Sequence, residues 1–370
     1  MKKRLVELDG LRGLAVMMVV FGHAGGTLSH GYTGWLSPLQ LLPDGEMGVR
    51  IFFILSGFLI TSILVAEYDW TKTICLLDFY KRRVLRIFPA FYTYLIVVTV
   101  LSVLGILPVA PQSLFLAATF LLNYMDYIVL SFHLKSFDDI GYAVVGHFWT
   151  LSLEEQFYWV WPFALIFFLR KKAFFFVPIL ICVIPVIRFA TYFLSPGTRG
   201  QLGMMFHTGS DVILFGCLLA ICAIRRPVWV NRLILPSWAI TGLMLFTLIM
   251  VPRMEQIFPS PYFHKLWAAT NYSVESLLLT VIIANILLQP QAWYTRLLKT
   301  RVLVFLGTIS YSIYLWQQLF CFSFNTTVTG QFPLNIVCAI GVGYLSYRFI
   351  ERPFLLVKSK RYSHGPGSPG

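Results

Sequence analysis

Apolar residues run along the chain in long blocks of the length a bilayer demands. A hydrocarbon core of about 30 Å takes roughly 20 helical residues at about 1.5 Å each. Blocks close to that length lie at 8–28, 48–66, 90–108, 149–169, 173–194, 208–224, 235–251, 270–289, 303–324 and 333–352. A further apolar stretch, 112–131, is ambiguous. The sequence shows no internal repeat and no heptad pattern. The pattern predicts an all-α fold: a polytopic integral membrane bundle of about ten transmembrane helices plus one re-entrant or surface segment. One transmembrane domain over 1–357 is expected, and then a disordered cytoplasmic tail, 358–370, whose end reads SHGPGSPG.

Composition agrees with lipid as the main solvent. The chain is 58% hydrophobic and 12% charged, against about 25% charged in a soluble domain. The formal net charge of +13 would point to nucleic acid in a soluble protein. Here the basic residues mark the cytoplasmic side instead, and no nucleic-acid partner is expected. With the N-terminus inside and 112–131 not crossing, most basic clusters fall on one side: Lys2 to Arg4, Lys81 to Arg86, Arg170 to Lys172, Arg225 with Arg226, Arg296 to Arg301, and Arg348 to Arg361. Arg50, Lys135, Arg188, Arg199, Arg253 and Lys265 are left at or beyond the outer boundary. The start, MKKR before an apolar run, resembles a secretory signal, but Asp9, Arg12 and His23 interrupt or flank it, so a retained first helix is expected. The six cysteines form no C-x-x-C pair and mostly sit in apolar runs, so neither a disulfide nor a metal role is expected.

Ionisable side chains inside spans are costly and mark function. Arg12 and His23 are eleven residues apart on the first span, which puts them on one helical face about 16 Å apart. That suits a long donor such as an acyl-CoA, with arginine gripping phosphate and histidine accepting a hydroxyl proton near the thioester. The plainer reading is a snorkelling arginine and a histidine bonded to a backbone carbonyl. Arg83 and Arg86, at i and i+3, face the same side as Arg12 and suit a polyphosphate; an anionic-lipid contact is the alternative. Glu154 and Glu155 enter the fourth span from the outside, at nearly the depth of His23. Glu154 is therefore expected to orient His23, although helix-dipole complementarity also favours an acid there. His147 either lines the outer mouth or caps the helix entry. Tyr311, Tyr314 and Trp316 form an interfacial belt or a sugar-stacking platform. Gly48 and the Ser56-Gly57 pair read as helix-packing positions.

These residues, taken in order, resemble the acyltransferase-3 family of membrane acyltransferases. The resemblance rests on Leu8-Asp9-Gly10-Leu11-Arg12-Gly13 with His23, on Phe52 to Phe58, on Arg83-x-x-Arg86 and on Trp149 to Tyr158. Tyr311 to Trp316 and Glu351-Arg352-Pro353 complete it. It implies a ten-helix protein of the bacterial inner (cytoplasmic) membrane with both termini cytoplasmic. It also implies an O-acetyltransferase using acetyl-CoA or a similar donor on a carbohydrate such as the O-antigen of lipopolysaccharide, an exopolysaccharide or a lipo-oligosaccharide. The family's essential residues fall on His23, Arg12, Arg83, Arg86 and the acid Glu154. Two departures stand out: Gln317, where many relatives have His, and Arg50, where Asp is common.

The resulting expectation has catalytic His23 and Glu154, donor-binding Arg12, Arg83 and Arg86, and acceptor-side candidates Glu155, His147, Tyr314, Trp316 and Gln317. No resident cofactor or metal is expected. The partners are acetyl-CoA as co-substrate, a carbohydrate or lipid-linked glycan, and membrane lipids. An intramembrane His/Glu pair also suits a proton-coupled solute transporter, although the repeated halves of such proteins are missing. A third reading is a structural partner of a polysaccharide export complex, in which the arginines and His23 are dispensable.

Overall fold

The computed structural model describes residues 5–28, 45–131, 140–322, 325 and 327–361. Among them all regular structure is helical and no strand is present. The principal helices are α1 (Val6–Gly25), α2 (Gly45–Thr71), α3 (Leu76–Val103), α4 (Trp149–Lys171), α5 (Phe176–Leu194) and α6 (Asp211–Arg225). They continue with α7 (Ser237–Leu245), α8 (Pro261–Leu288), α9 (Arg301–Thr308), α10 (Ser310–Trp316), α11 (Leu334–Ser346) and α12 (Arg352–Arg361). A π-helical segment, Tyr347–Glu351, joins α11 to α12.

Each of the ten apolar blocks contains helix, and among the described residues five helices are long and apolar enough, by length and composition, to cross a membrane: α2, α3, α5, α8 and the stretch Ser237–Ile257 that α7 begins. A sixth appears if α9 and Ser310–Cys321 count as one span. The rest fall short for visible reasons. α1 carries Glu7, Asp9 and Arg12, α4 carries Glu154 and Glu155, and α6 has only 15 residues. The expected helix over 303–324 is broken, with a bend of 61° between α9 and Ser310–Cys321. The Thr308 hydroxyl donates back to the Val304 carbonyl at 2.8 Å, a bond that bends helices.

The ambiguous stretch 112–131 is not one helix either. It comprises Pro111–Ala118, a 3₁₀ turn Leu122–Tyr124 and Met125–Ser131. Eight residues rise only about 12 Å. At the break Phe120 takes a left-handed conformation, φ 55°, which is costly for a bulky side chain. Its ring stacks on Phe91 and Phe88, with centroids 4.8 and 5.8 Å away, and these contacts hold it there.

Close helix crossings set the core. Glycine within a helix costs about 1 kcal/mol relative to alanine, so it persists where backbones must touch. Gly13 of α1 and Gly307 of α9 face each other; a Cβ on either would strike the carbonyl of Leu303 or of Asp9. Gly57 of α2 and Gly216 of α6 do the same against Ile213 and Ile54. Gly48 fits against the Ala15 carbonyl, as a packing glycine should. Large apolar side chains such as Ile96, Val103, Trp159, Phe163, Val186 and Leu277 point outward, the surface a bilayer would cover.

Two arginines expected at the outer boundary are interior. Arg188 and Asp211 are both 0% exposed and pair at 2.5 Å. The Arg188 guanidinium also donates to the Thr208 carbonyl at 2.6 Å and the Ala269 carbonyl at 2.9 Å, joining α5, α6 and α8. Arg50 pairs with Glu275 at 2.7 Å and Glu46 at 2.8 Å. Each cation meets a carboxylate from another helix, Asp211 for Arg188 and Glu275 for Arg50, which offsets the cost of burying the charge. Helix α12 carries the chain past the expected boundary at 357. Residues 362–370 of the expected tail lie outside the described residues, as do Lys2 to Arg4 and Lys135.

Candidate active site

A cavity of about 240 Å³ opens between α1, α2, α3, α4 and α10. Arg12, Arg83 and Arg86 line it, with Glu154, Ser56, Tyr158, Thr150, Tyr311 and Tyr314. The local folding is simple. α3 is helical through Lys81 to Ile87, so Arg83 and Arg86 share a face as their spacing requires. Arg82 turns aside and pairs with Glu67 at 3.1 Å. The Arg83 guanidinium lies 4.1 Å from the centre of the Tyr158 ring, a cation–π contact that fixes the plane of the fork. The Tyr158 hydroxyl bonds that of Ser56.

Among the described residues, none of the Arg12, Arg83 and Arg86 guanidiniums forms a hydrogen bond or ion pair with another side chain or carbonyl. Their charge is balanced at longer range. Glu154 lies within electrostatic reach of Arg83, Arg12 and Arg86. Glu351, 5% exposed, lies near Arg86 and Arg12 and accepts the Ser312 hydroxyl at 2.9 Å. The π-helical segment Tyr347–Glu351 widens the turn that delivers this carboxylate inward.

Among the described residues no hydrogen bond or ion pair joins Glu154 to His23; Glu154 sits with the arginines. Rise per residue puts Glu154 level with His23, whereas it lies within electrostatic reach of Arg12, about 16 Å along α1 from His23. Glu155 points elsewhere, 7% exposed, near Arg83 and the Tyr92 and Tyr311 hydroxyls.

His23 belongs to a second group. The Gln317 side chain is beside its ring, and His147 lies within electrostatic reach. Gln317 is 0% exposed and donates to Gln318 at 2.9 Å. The His147 ring is packed by Phe148, Tyr314 and Tyr94 at centroid distances of 4.1, 5.4 and 5.8 Å, and Tyr94 meets Trp316 at 5.3 Å. His147 thus lines this interior and does not cap α4. Tyr314 and Trp316 are buried as well, so neither serves a lipid-facing belt; the bend before α10 turns them inward. Several buried polar atoms here have no partner among the described residues: Nδ1 of His23, both ring nitrogens of His147, Nε1 of Trp316 and Oε1 of Gln317.

The two groups meet at one carbonyl. The Tyr314 hydroxyl donates to the His147 backbone oxygen at 2.7 Å, and Thr150 donates to the same oxygen at 3.0 Å. Tyr314 and Thr150 line the cavity, while the His147 ring lies near His23. Sequence reasoning missed Tyr158, Ser56 and Thr150 as cavity-lining groups and Glu351 as a carboxylate near the arginines. Glu351 alone left a signal, a charge within an otherwise apolar run.

An all-helical bundle with charged groups aimed inward defines a membrane protein with an interior polar site. The acyltransferase domain family matches residues 5–346, and the chain belongs to this acyltransferase-3 family. It is similar to the O-acetyltransferase OatA of Staphylococcus aureus (strain NCTC 8325 / PS 47), 29% identical over 392 residues, covering 99% of this chain and 60% of that protein. It is also similar to the putative O-acetyltransferase SACOL0978 of Staphylococcus aureus (strain COL), 30% identical over 369 residues, covering 94% and 56%. The chain thus spans about 60% of the length of these curated relatives. No solved structure matches it.

Proposed function

We propose that the protein is a membrane O-acetyltransferase that moves an acetyl group from acetyl-CoA on the cytoplasmic side to a hydroxyl of a carbohydrate. The acceptor is a glycan of the O-antigen, exopolysaccharide or lipo-oligosaccharide type, free or lipid-linked. In this reading the chain crosses a bacterial inner membrane ten times, α6 and the bent α9–α10 pair included, with both termini cytoplasmic. The observation that carries the proposal is the cavity with three guanidiniums that have no hydrogen-bonding partner among the described residues, one of them, Arg12, on the helix that also carries His23.

Phosphates of the donor bind Arg12, Arg83 and Arg86 through charge-assisted hydrogen bonds. Glu154 and Glu351 keep those guanidiniums apart and oriented until the donor enters. The pantetheine arm runs along α1, whose eleven-residue step from Arg12 to His23 covers about 16 Å. The acceptor hydroxyl lies at His23, where His147, Trp316 and Gln317 supply polar atoms that a hydroxylated molecule would satisfy. His23 takes the hydroxyl proton as the oxygen attacks the thioester carbonyl. The C–O bond forms, the C–S bond breaks, and the thiolate of CoA leaves and takes up a proton. An acyl-imidazole route would use the same groups in two steps.

The test is incubation of the purified full chain in vesicles with acetyl-labelled CoA and a panel of bacterial glycans. Label in the glycan supports the enzyme. Solute or proton uptake with no label transferred supports the carrier reading and ends this one.

A further inference from the structure

The C-terminal helix α12 presents one face to the arginine end of the cavity. Positions 351, 355 and 358 stack on one side of a helix. Glu351 is buried and Leu355 and Lys358 are half-buried, while Arg352, Phe354, Leu356 and Val357 are exposed. α12 packs against α3, the helix that carries Arg82, Arg83 and Arg86. Glu351 stands at the inner end of this face, near Arg86 and Arg12. Lys358 is seven residues on, about 10 Å further along the helix and out of the bundle.

This placement is electrostatically unfavourable. Lys358 is close enough to Arg86, Arg83, Arg82 and Arg12 to be repelled by all of them. It forms no ion pair among the described residues. Burial and the four guanidiniums push its ammonium down to about 7. Like charges collected at one opening are tolerated where an anion of several charges is received. A donor bearing only one phosphodiester would leave most of them unbalanced. A nucleotide thioester brings a diphosphate and, farther from the sulfur, a ribose phosphate.

We propose that Lys358 is a donor-binding residue at the mouth of the cavity, holding the ribose 3′-phosphate of acyl-CoA while Arg12, Arg83 and Arg86 hold the diphosphate. The inference rests on the proposed function and adds to it the residue that reads the 3′-phosphate of the donor.

The experiment measures binding of acetyl-CoA and of acetyl-dephospho-CoA, which ends in a 3′-hydroxyl, by the full chain in phosphatidylcholine vesicles free of anionic lipid. Wild type is expected to bind acetyl-CoA about tenfold tighter than the dephospho form, as a charge-assisted contact provides. Lys358→Gln should lose that preference and leave the dephospho Kd unchanged, and Lys358→Arg should restore it. Equal weakening for both donors would assign Lys358 a merely structural role and overturn the proposal. So would a wild type indifferent to the 3′-phosphate, or a Lys358→Gln effect that appears only when anionic lipid is added. Wild type that binds neither donor is a different result, and it removes the parent reading itself.

Discussion

The Tyr314 hydroxyl donates to the backbone oxygen of His147 at 2.7 Å. This bond ties α10 to the entry of α4 and stands between the arginine-lined cavity and the group around His23. Tyr314→Phe keeps the ring and removes the hydroxyl. The loss of one buried hydrogen bond, about 1 kcal/mol, acts on the seating of His147 and leaves the arginines alone. The expected outcome is a transfer rate lower by about fivefold with an unchanged Kd for acetyl-CoA, read by steady-state kinetics beside direct binding. A parallel fall in donor binding would mean that the Tyr314 hydroxyl contacts the donor itself and does more than seat His147.

The arginines divide by what they touch. Arg12→Ala and Arg86→Ala each delete a guanidinium that lines the cavity. Each should weaken acetyl-CoA binding by about tenfold or more. Arg86→Lys should recover only part, because an ammonium lacks the planar fork. Arg82 is engaged with Glu67 at 3.1 Å, so Arg82→Ala should change the Kd by less than about threefold. Titration calorimetry on the purified chain checks the order.

Donor binding should depend on pH through Lys358. Its ammonium sits at about 7, and a bound phosphate favours the charged form and raises that value. Below the empty-site value the group is already protonated, and binding takes up no proton from it. As pH rises above about 7, binding must draw a proton from solution, so acetyl-CoA affinity falls. Lys358→Arg, which stays charged, should flatten the profile between pH 7 and pH 9, measured by binding in buffers of different ionisation enthalpy. A slope retained in the arginine variant would assign the dependence to another group.

Arg188 and Asp211 form a fully buried pair that also engages Ser273, at 3.4 Å from Arg188 and 2.5 Å from Asp211. Arg188→Met leaves Asp211 charged and unpaired, a loss of about 3–5 kcal/mol. The double change Arg188→Met with Asp211→Leu should regain much of it, since apolar replacement of a whole buried pair is often neutral. Thermal unfolding in detergent compares the three chains. A single variant as stable as wild type would contradict the burial.

Much of this was legible in the sequence, and the failures have physical causes. Helix at every apolar block follows from backbone hydrogen bonding in lipid. The gathering of Arg12, Arg83 and Arg86 follows from the spacing of the latter two on α3 and the side that α1 and α3 start from. Counting rise per residue puts Glu154 at the depth of His23, but it lies with Arg12, Arg83 and Arg86. Its partners were not legible, because the tilt and seating of α4 are decided by packing with its neighbours. The break at Ile309 depends on Gly307 fitting under Asp9 and on the Thr308 back-bond, neither of which hydropathy detects. Arg188 read as a boundary charge because its partner Asp211 is 23 positions away on another helix. Lys358 was counted with a basic tail, since only tertiary contact of α12 with α3 turns it inward.

The account is tested most directly by His23→Ala assayed twice on the same preparation, for acetyl-CoA binding and for transfer of labelled acetyl to a glycan. His23 lies about 16 Å along α1 from Arg12 and is not among the cavity-lining residues. The predicted result is a donor Kd within about twofold of wild type and a transfer rate lower by at least about 100-fold, the usual weight of a general base. Transfer at the wild-type rate, or loss of donor binding in step with loss of transfer, would contradict it.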